Sequence, residues 1–136
     1  YAKALTDNDI AINKNLIIRT DNPDEFDFRL NELINTQKID GIFALDEHAS
    51  TMAMKMAIKK GIKIPDELCV IGFADGVWSR RLTPSLSTIS QHGIEIGEEA
   101  AKMLIERLES EQEEDEHYRT EVIETHLVLR ESTPSL

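Results

Sequence analysis

The strongest constraint on the fold is an alternation of two kinds of segment. Three short apolar runs, Leu16–Arg19 (LIIR), Gly41–Leu45 (GIFAL) and Leu68–Phe73 (LCVIGF), are bounded by polar or turn residues. Unbroken runs of this length suit strands covered on both faces. Between the first two, Phe26, Leu30, Leu33 and Ile34 recur at helical spacing behind Pro23, a residue suited to the first turn of a helix. Between the second and third, a helix is expected over 47–60, closed by Gly61, which readily takes the left-handed conformation of a helix C-terminus. The pattern reads βαβαβ: an α/β fold with a doubly wound, mainly parallel sheet. Ligands of such sheets gather at the carboxyl ends of the strands. Asp21, Asp46 and Asp75, the acids just beyond the three runs, are therefore candidates for a binding site.

The second half changes character. Residues 83–91 (TPSLSTISQ) read as a Pro-marked loop leading into a short alternating strand. Residues 93–109 predict an amphipathic helix with Ile94, Gly97, Ala101, Leu104 and Leu108 on one stripe, which needs a packing partner. Residues 109–117 (ESEQEEDEH) are too acidic and too poor in apolar groups to order themselves, and are expected as a solvated loop or frayed helix end. Residues 121–132 (EVIETHLVLRES) alternate as a final strand, with Val122, Glu124, His126 and Val128 on one side and Ile123, Thr125, Leu127 and Leu129 on the other. The expected units are 1–92 for the βαβαβ part, 93–117 for a crossover helix and acidic loop, and 118–136 for the final strand and tail.

A chain of 136 residues has the size of one ordinary domain. Its 15 Lys+Arg against 26 Asp+Glu give a net charge of -11. That balance argues against these residues gripping phosphates, because nucleic-acid affinity is largely counterion release by clustered Lys and Arg. Any contact of the intact protein with DNA is expected through another segment. No apolar run is long enough to span a bilayer, and the start YAKALTDNDI carries acids where a secretion signal would have a basic end and an apolar core. No membrane partner is expected. The single cysteine, Cys69, cannot close an intrachain disulfide and sits in an apolar run as a small hydrophobe, which suits a reducing, cytoplasmic setting.

There is no Gly-rich dinucleotide fingerprint, P-loop, nucleophile elbow or zinc-protease motif, and the four histidines are scattered at 48, 92, 117 and 126. No metal, cofactor or enzymatic activity is expected. Asp46-Glu47-His48 raises the question of paired-carboxylate acid/base chemistry, but adjacent residues at a helix start point apart. Two readings of Asp46 stand: it caps the helix, or it binds a ligand. Met52, Met54 and Met56 are either core filler or an adaptable surface, with Met52 and Met56 on one helical face and Met54, Thr51 and Ile58 on another. Trp78 either anchors its loop or stacks on a sugar ring. Arg80 and Arg81 read as a solvated pair.

Residues 40–109, from DGIFALDEHAS through GIKIPDELCVIGFADG and LTPSLSTISQHG to AAKMLIERLE, closed by LVLRES, resemble the C-terminal part of the effector-binding region of lactose-repressor-type (LacI/GalR family) bacterial transcriptional regulators. The resemblance implies the C-terminal lobe of a periplasmic-binding-protein-like (type I) domain, incomplete as given. It places an operator-reading helix-turn-helix domain, most of an N-lobe, the first C-lobe strand and an effector-binding arginine before Tyr1. It also implies a small-molecule effector of sugar or nucleoside class, bound in the cleft between lobes, and a homodimer.

By the same resemblance, Asp46 falls on an effector-contacting Asn or Asp, and Gln91 on a polar residue of the hinge between lobes. Ala74 stands where the family commonly has a ligand-bonding Asp, displaced by one to Asp75. Asp21 or Asn22 falls where many members place an aromatic against the ligand, and Trp78 completes the candidate effector site. Thr51, Met54, Lys55 and Ile58 match the dimer-forming helix, and Arg81 and Leu82 an adjoining interface loop. A transport-associated periplasmic sugar-binding protein of the same lobe fold is the rival reading, and the residues before Tyr1 would separate the two.

Overall fold

The alternation is realised around a four-stranded sheet of order β1-β2-β3-β4, with β1 at Gly41–Ala44, β2 at Cys69–Gly72, β3 at Ser87–Ser90 and β4 at His126–Val128. The first three strands are parallel, and β4 runs antiparallel to β3. The helices are α1 (Ala2–Asp7), α2 (Pro23–Thr36), α3 (Glu47–Lys59), α4 (Val77–Arg81) and α5 (Gly93–Glu109), with a 3-10 turn at Lys14–Leu16. This computed structural model describes residues 1–109 and 118–134. The expected acidic loop, apart from Glu109 at the end of α5, lies outside the described residues.

The helix boundaries follow from their caps. The Asn22 side chain accepts the N–H groups of Asp24 and Glu25 at 2.9 and 3.2 Å, and Pro23 follows in the first turn. Asp46 does the same for α3, accepting the Ala49 N–H at 2.7 Å. At the other end of α3 the Gly61 N–H reaches Ile58 O and the Ile62 N–H reaches Ala57 O, both at 3.0 Å. This closure turns on Gly61 at φ +72, where a Cβ would strain the backbone.

The core lies where α3 crosses the sheet. Ser50, Ala53, Met54 and Ala57 are its buried residues, spaced at three and four along one stripe. Ala53, Met54 and Ala57 join Leu30 of α2 and Leu68, Val70 and Leu86 in one apolar cluster. The small residues on the stripe let the helix come close: a Cβ built on Gly72 would stand 3.2 Å from both Ser50 and Leu86.

The structure corrects several expectations. Leu16–Arg19 is not a strand. Ile17 has extended backbone and Ile18 packs on the core, but no strand among the described residues pairs with the segment. The Arg29 guanidinium instead donates to the carbonyls of Arg19 and Ile17. Nor is GIFAL covered on both faces: Ala44 is buried, whereas Phe43 and Leu45 are exposed, with Phe73 set edge-to-face against Phe43. The final strand is shorter than its alternation suggests, because only His126–Val128 pair with β3. α5 forms as expected, yet none of its residues is buried.

Met54 is the clearest correction. It is fully buried and cannot share an outer face with Thr51 and Ile58. The positions 50, 53, 54 and 57 form the inward stripe, so Met54 fills the core while Lys55 and Ile58 point to solvent. Leu82 packs partly against the same core, and Arg81 is exposed.

Candidate functional site

Parallel pairing brings the carboxyl ends of β1, β2 and β3 to one edge of the sheet, and the candidate residues follow these ends directly. After β1 comes Asp46, exposed, with Oδ1 accepting the Ala49 N–H. Its second oxygen has no partner among the described residues. The capping and ligand readings are thus compatible: one oxygen closes the helix and the other faces solvent. Glu47, next in line, lies over Gly76 so closely that a Cβ there would collide with its carboxylate, and Oε1 is buried without a hydrogen bond among the described residues. Adjacent on the helix start, the two carboxylates go to different places, and no acid/base pair forms.

After β3, the Gln91 Nε2 donates to Phe73 O at 2.6 Å, joining the end of β3 to the end of β2. Phe73 N–H in turn donates to Ala44 O at 2.8 Å, which ties in the end of β1. Gln91 is held at its amide nitrogen, and its side-chain oxygen is left to accept a donor from a ligand. The edge therefore offers a carboxylate oxygen and an amide oxygen on a scaffold fixed by backbone hydrogen bonds.

Asp75 takes a different position from the one implied. Its Oδ1 accepts from Arg130 Nη2 at 2.7 Å, Thr88 Oγ1 at 2.9 Å and Ser79 Oγ at 3.1 Å, and its side chain is 12% exposed. Burial pushes the carboxyl up and is the largest single influence. The hydrogen bonds from Arg130, Thr88 and Ser79, with the charge of Arg130, outweigh it and bring the carboxyl from 3.8 to about 2. Asp75 is therefore a pairing residue of the β3–β4 side and not a carboxylate displaced from the ligand position of Ala74. Trp78 stands 59% exposed on α4 beside exposed Val77, so it does not anchor the loop by burial. Asp21 is exposed at the start of α2, and the side-chain oxygen of Asn22 is occupied by its capping bonds. No side-chain hydrogen bond among the described residues joins either of them to the edge formed by β1–β3.

The residue types alone did not reveal what the terminal Arg130-Glu131-Ser132 does. Ser132 Oγ donates to Val70 O at 2.6 Å and accepts the Ser87 N–H at 2.7 Å, while its own carbonyl accepts the Val70 N–H at 3.0 Å. It sits between β2 and β3 where their direct pairing has not yet begun. Glu131 accepts from the Ser85 N–H and hydroxyl, which holds its carboxyl below the usual range. The signal in the sequence was a break in alternation, polar residues continuing directly from an apolar strand. Among the described residues no group of three or more His, Cys, Asp or Glu could hold a metal ion, and no helix is long and apolar enough to cross a membrane.

This architecture has close counterparts. The family model described as a periplasmic binding protein-like domain matches residues 1–133. A ribose operon repressor from Haemophilus influenzae is 32% identical over 142 residues, an alignment that covers 100% of this chain and 41% of the repressor. A sugar-binding transcriptional regulator of the LacI family from Escherichia coli, solved with phosphate, superimposes with a TM-score of 0.80 at 25% identity, over 97% of this chain and 47% of that one. The transcriptional regulator CelR in complex with cellobiose gives a TM-score of 0.80 at 25% identity, over 97% of this chain and 40% of its own. The chain thus spans about two fifths of the length of the repressor it matches throughout. With the family model matched over residues 1–133 and a LacI-family regulator superimposed over 97% of the chain, the chain belongs to the periplasmic binding protein-like domain family, in the form found in LacI-type regulators.

Proposed function

We propose that the chain is the effector-binding and dimer-forming part of a bacterial transcriptional regulator that responds to a small sugar-like or nucleoside-like ligand. The observation that carries the reading is the edge where Asp46 and Gln91, each fixed by a bond to backbone, present acceptor oxygens with no partner among the described residues. Acceptors of this kind match the hydroxyl groups of a sugar or nucleoside, and the exposed Trp78 is the aromatic available to stack on its ring. On this reading operator DNA is bound by a helix-turn-helix domain elsewhere in the intact protein, in keeping with the acidic balance here. Effector binding shifts the population between two lobe arrangements that differ in DNA affinity. A second copy packs on the exposed face of α3 that carries Thr51, Lys55 and Ile58, with Arg81 adjoining.

Thermal-shift screening of the intact protein against mono- and disaccharides and nucleosides tests the reading, since a ligand that binds the native state raises its stability. A stabilising ligand whose effect is lost in Asp46→Ala supports it. No shift with any member of either class removes it. The transport-protein alternative is separated by the residues upstream of Tyr1, where a signal peptide in place of a helix-turn-helix would decide for transport.

A further inference from the structure

Two imidazoles face one another where the chain leaves the sheet for α5 and where it returns to β4. His92 follows β3, and His126 opens β4 opposite Ser90 in the strand register. His92 Nε2 and His126 Nδ1 are 2.7 Å apart, with ring centroids at 4.7 Å. His92 reaches this position through left-handed backbone at φ +53, a conformation that histidine adopts more readily than most side chains. Behind it, His92 Nδ1 lies 2.9 Å from Glu95 Oε1, and the His92 carbonyl accepts the Ile96 N–H at 3.0 Å. The pair therefore joins both chain crossings to the first turn of α5. Further along, Arg119 on the returning segment pairs with Glu99 and Glu106 of α5, and none of the residues of α5 is buried. α5 and the returning chain hold each other, and the histidines link them to the sheet.

Among the described residues, Glu95 is the only charged group paired with the imidazoles. Glu98, Glu99 and Glu121 line the adjoining hollow with it. Glu95 meets His92 on the ring nitrogen turned away from His126, and among the described residues no group of three or more His, Cys, Asp or Glu could hold a metal, so the two facing nitrogens are placed to share a proton. A carboxylate only accepts, so His92 Nδ1 carries its proton toward Glu95, and in the neutral pair His92 Nε2 accepts from the His126 Nδ1–H. One added proton on His126 Nε2, the far nitrogen, leaves the shared bond in place and strengthens it by charge. A second must enter at His92 Nε2. Two N–H groups on two cations would then point at each other across a gap that fits one hydrogen.

We propose that His92 and His126 form an acid-sensitive latch across the two chain crossings: it is closed while the pair carries one extra proton or none, and it opens when the second arrives. Histidine is the side chain whose ordinary charge change falls between about pH 5 and 8, which suits a pair of this kind to an acid response. Its consequence for effector binding rests on the hinged-lobe reading above, whereas the latch itself does not.

The test is a 15N-edited imidazole titration of the intact protein from pH 8 to 4.5, beside His92→Gln and His126→Gln. The ring signals of His92 and His126 should respond together in the parent, and that coupling should vanish in either variant. Amide-exchange protection at Ser90 and His126 should fall about tenfold across the uptake of the second proton and stay level in both variants. If His92 titrates identically with and without His126, or if protection is unmoved, the latch is overturned. Where an effector has been found, its affinity should change about tenfold across the same step in the parent alone. Constant affinity would overturn the regulatory consequence. Failure to find any effector would count against the functional reading, with the latch decided by the titration.

Discussion

Arg130 donates through Nη2 to Asp75 Oδ1 at 2.7 Å, across 55 positions of sequence, while its Nη1 bonds Leu86 O at 2.7 Å and Thr88 Oγ1 at 3.0 Å. One side chain thereby fastens the loop after β2 to β3 and to the end of the chain. Both partners are nearly shielded, at 13% and 12% exposure, so the pair is screened far less than a surface ion pair.

The pair makes stability depend on acid in a definite direction. The Asp75 carboxyl is lowered in the folded protein, from 3.8 to about 2. Its contribution is therefore complete above pH 4 and is lost as pH falls toward 2, because the unfolded chain takes up the proton first. At 1.36 kcal/mol per pKa unit, the drop corresponds to about 2 kcal/mol. Urea titrations at pH 7, 4 and 2 should show this loss in the parent and a shallower acid limb in Asp75→Asn. Equal slopes for the two proteins would remove Asp75 as a source of acid sensitivity.

Ser132→Ala should cost about 2 kcal/mol, since it strips the buried Ser87 N–H and Val70 carbonyl of a shared partner. Chemical denaturation at neutral pH measures it. A loss below about 0.5 kcal/mol, the ordinary range for a surface change, would mean that the β2–β3 splay closes without Ser132.

What was legible in the sequence was local. The caps at Asp46 and Gly61 act within a few residues, and both stand where residue type alone puts them, whereas Asn22, read only as a candidate ligand contact, caps α2 in the same way. The inward stripe of α3 was misread because Ser50, Ala53 and Ala57 carry little hydrophobic signal, and Met54 was grouped with its exposed neighbours. Closeness of helix to sheet, which demands small residues, is a tertiary fact. For the same reason Leu16–Arg19 shows strand composition without a strand, because pairing needs a neighbour that composition cannot supply. At the candidate site, the strand-end rule pointed to Asp46, and the family resemblance to Gln91; the structure puts both beyond parallel strands of one sheet. Asp75 was misassigned, since nothing local reveals an arginine 55 residues later.

Asp46 caps α3, and the ligand contact proposed for it is a second role that substitutions can separate from the first. Asn is as good a helix cap as Asp, so Asp46→Asn should leave stability nearly unchanged, whereas Asp46→Ala should cost about 1 kcal/mol. Effector affinity should fall in both, by about 1 to 3 kcal/mol for Ala, because the free oxygen is gone and in Asn an N–H₂ group takes the acceptor's place. Calorimetry with the ligand found by screening, set beside melting curves, reads the two effects independently. Unchanged affinity in a stable Asp46→Asn protein would leave the residue as a cap alone.

The last prediction concerns the two faces of α3. Met54 is fully buried among Leu30, Leu68 and Leu86, and truncation to Ala should cost about 2 to 5 kcal/mol. Met54→Lys should be worse, because it forces an ammonium into a site with no paired charge. Neither change addresses dimerisation, since a side chain this deep meets no second copy. Ile58, one turn further along, is 50% exposed at the margin of the buried stripe, next to exposed Lys55. A two-fold interface brings a patch onto itself, so Ile58→Lys should set like charges near the axis while leaving the fold at nearly full stability. Sedimentation of the intact protein should then show a shift toward monomer with an unchanged melting temperature at low concentration. A dimer undisturbed by Ile58→Lys would place the interface elsewhere, and a natively stable Met54→Lys protein would refute the packing of α3 itself.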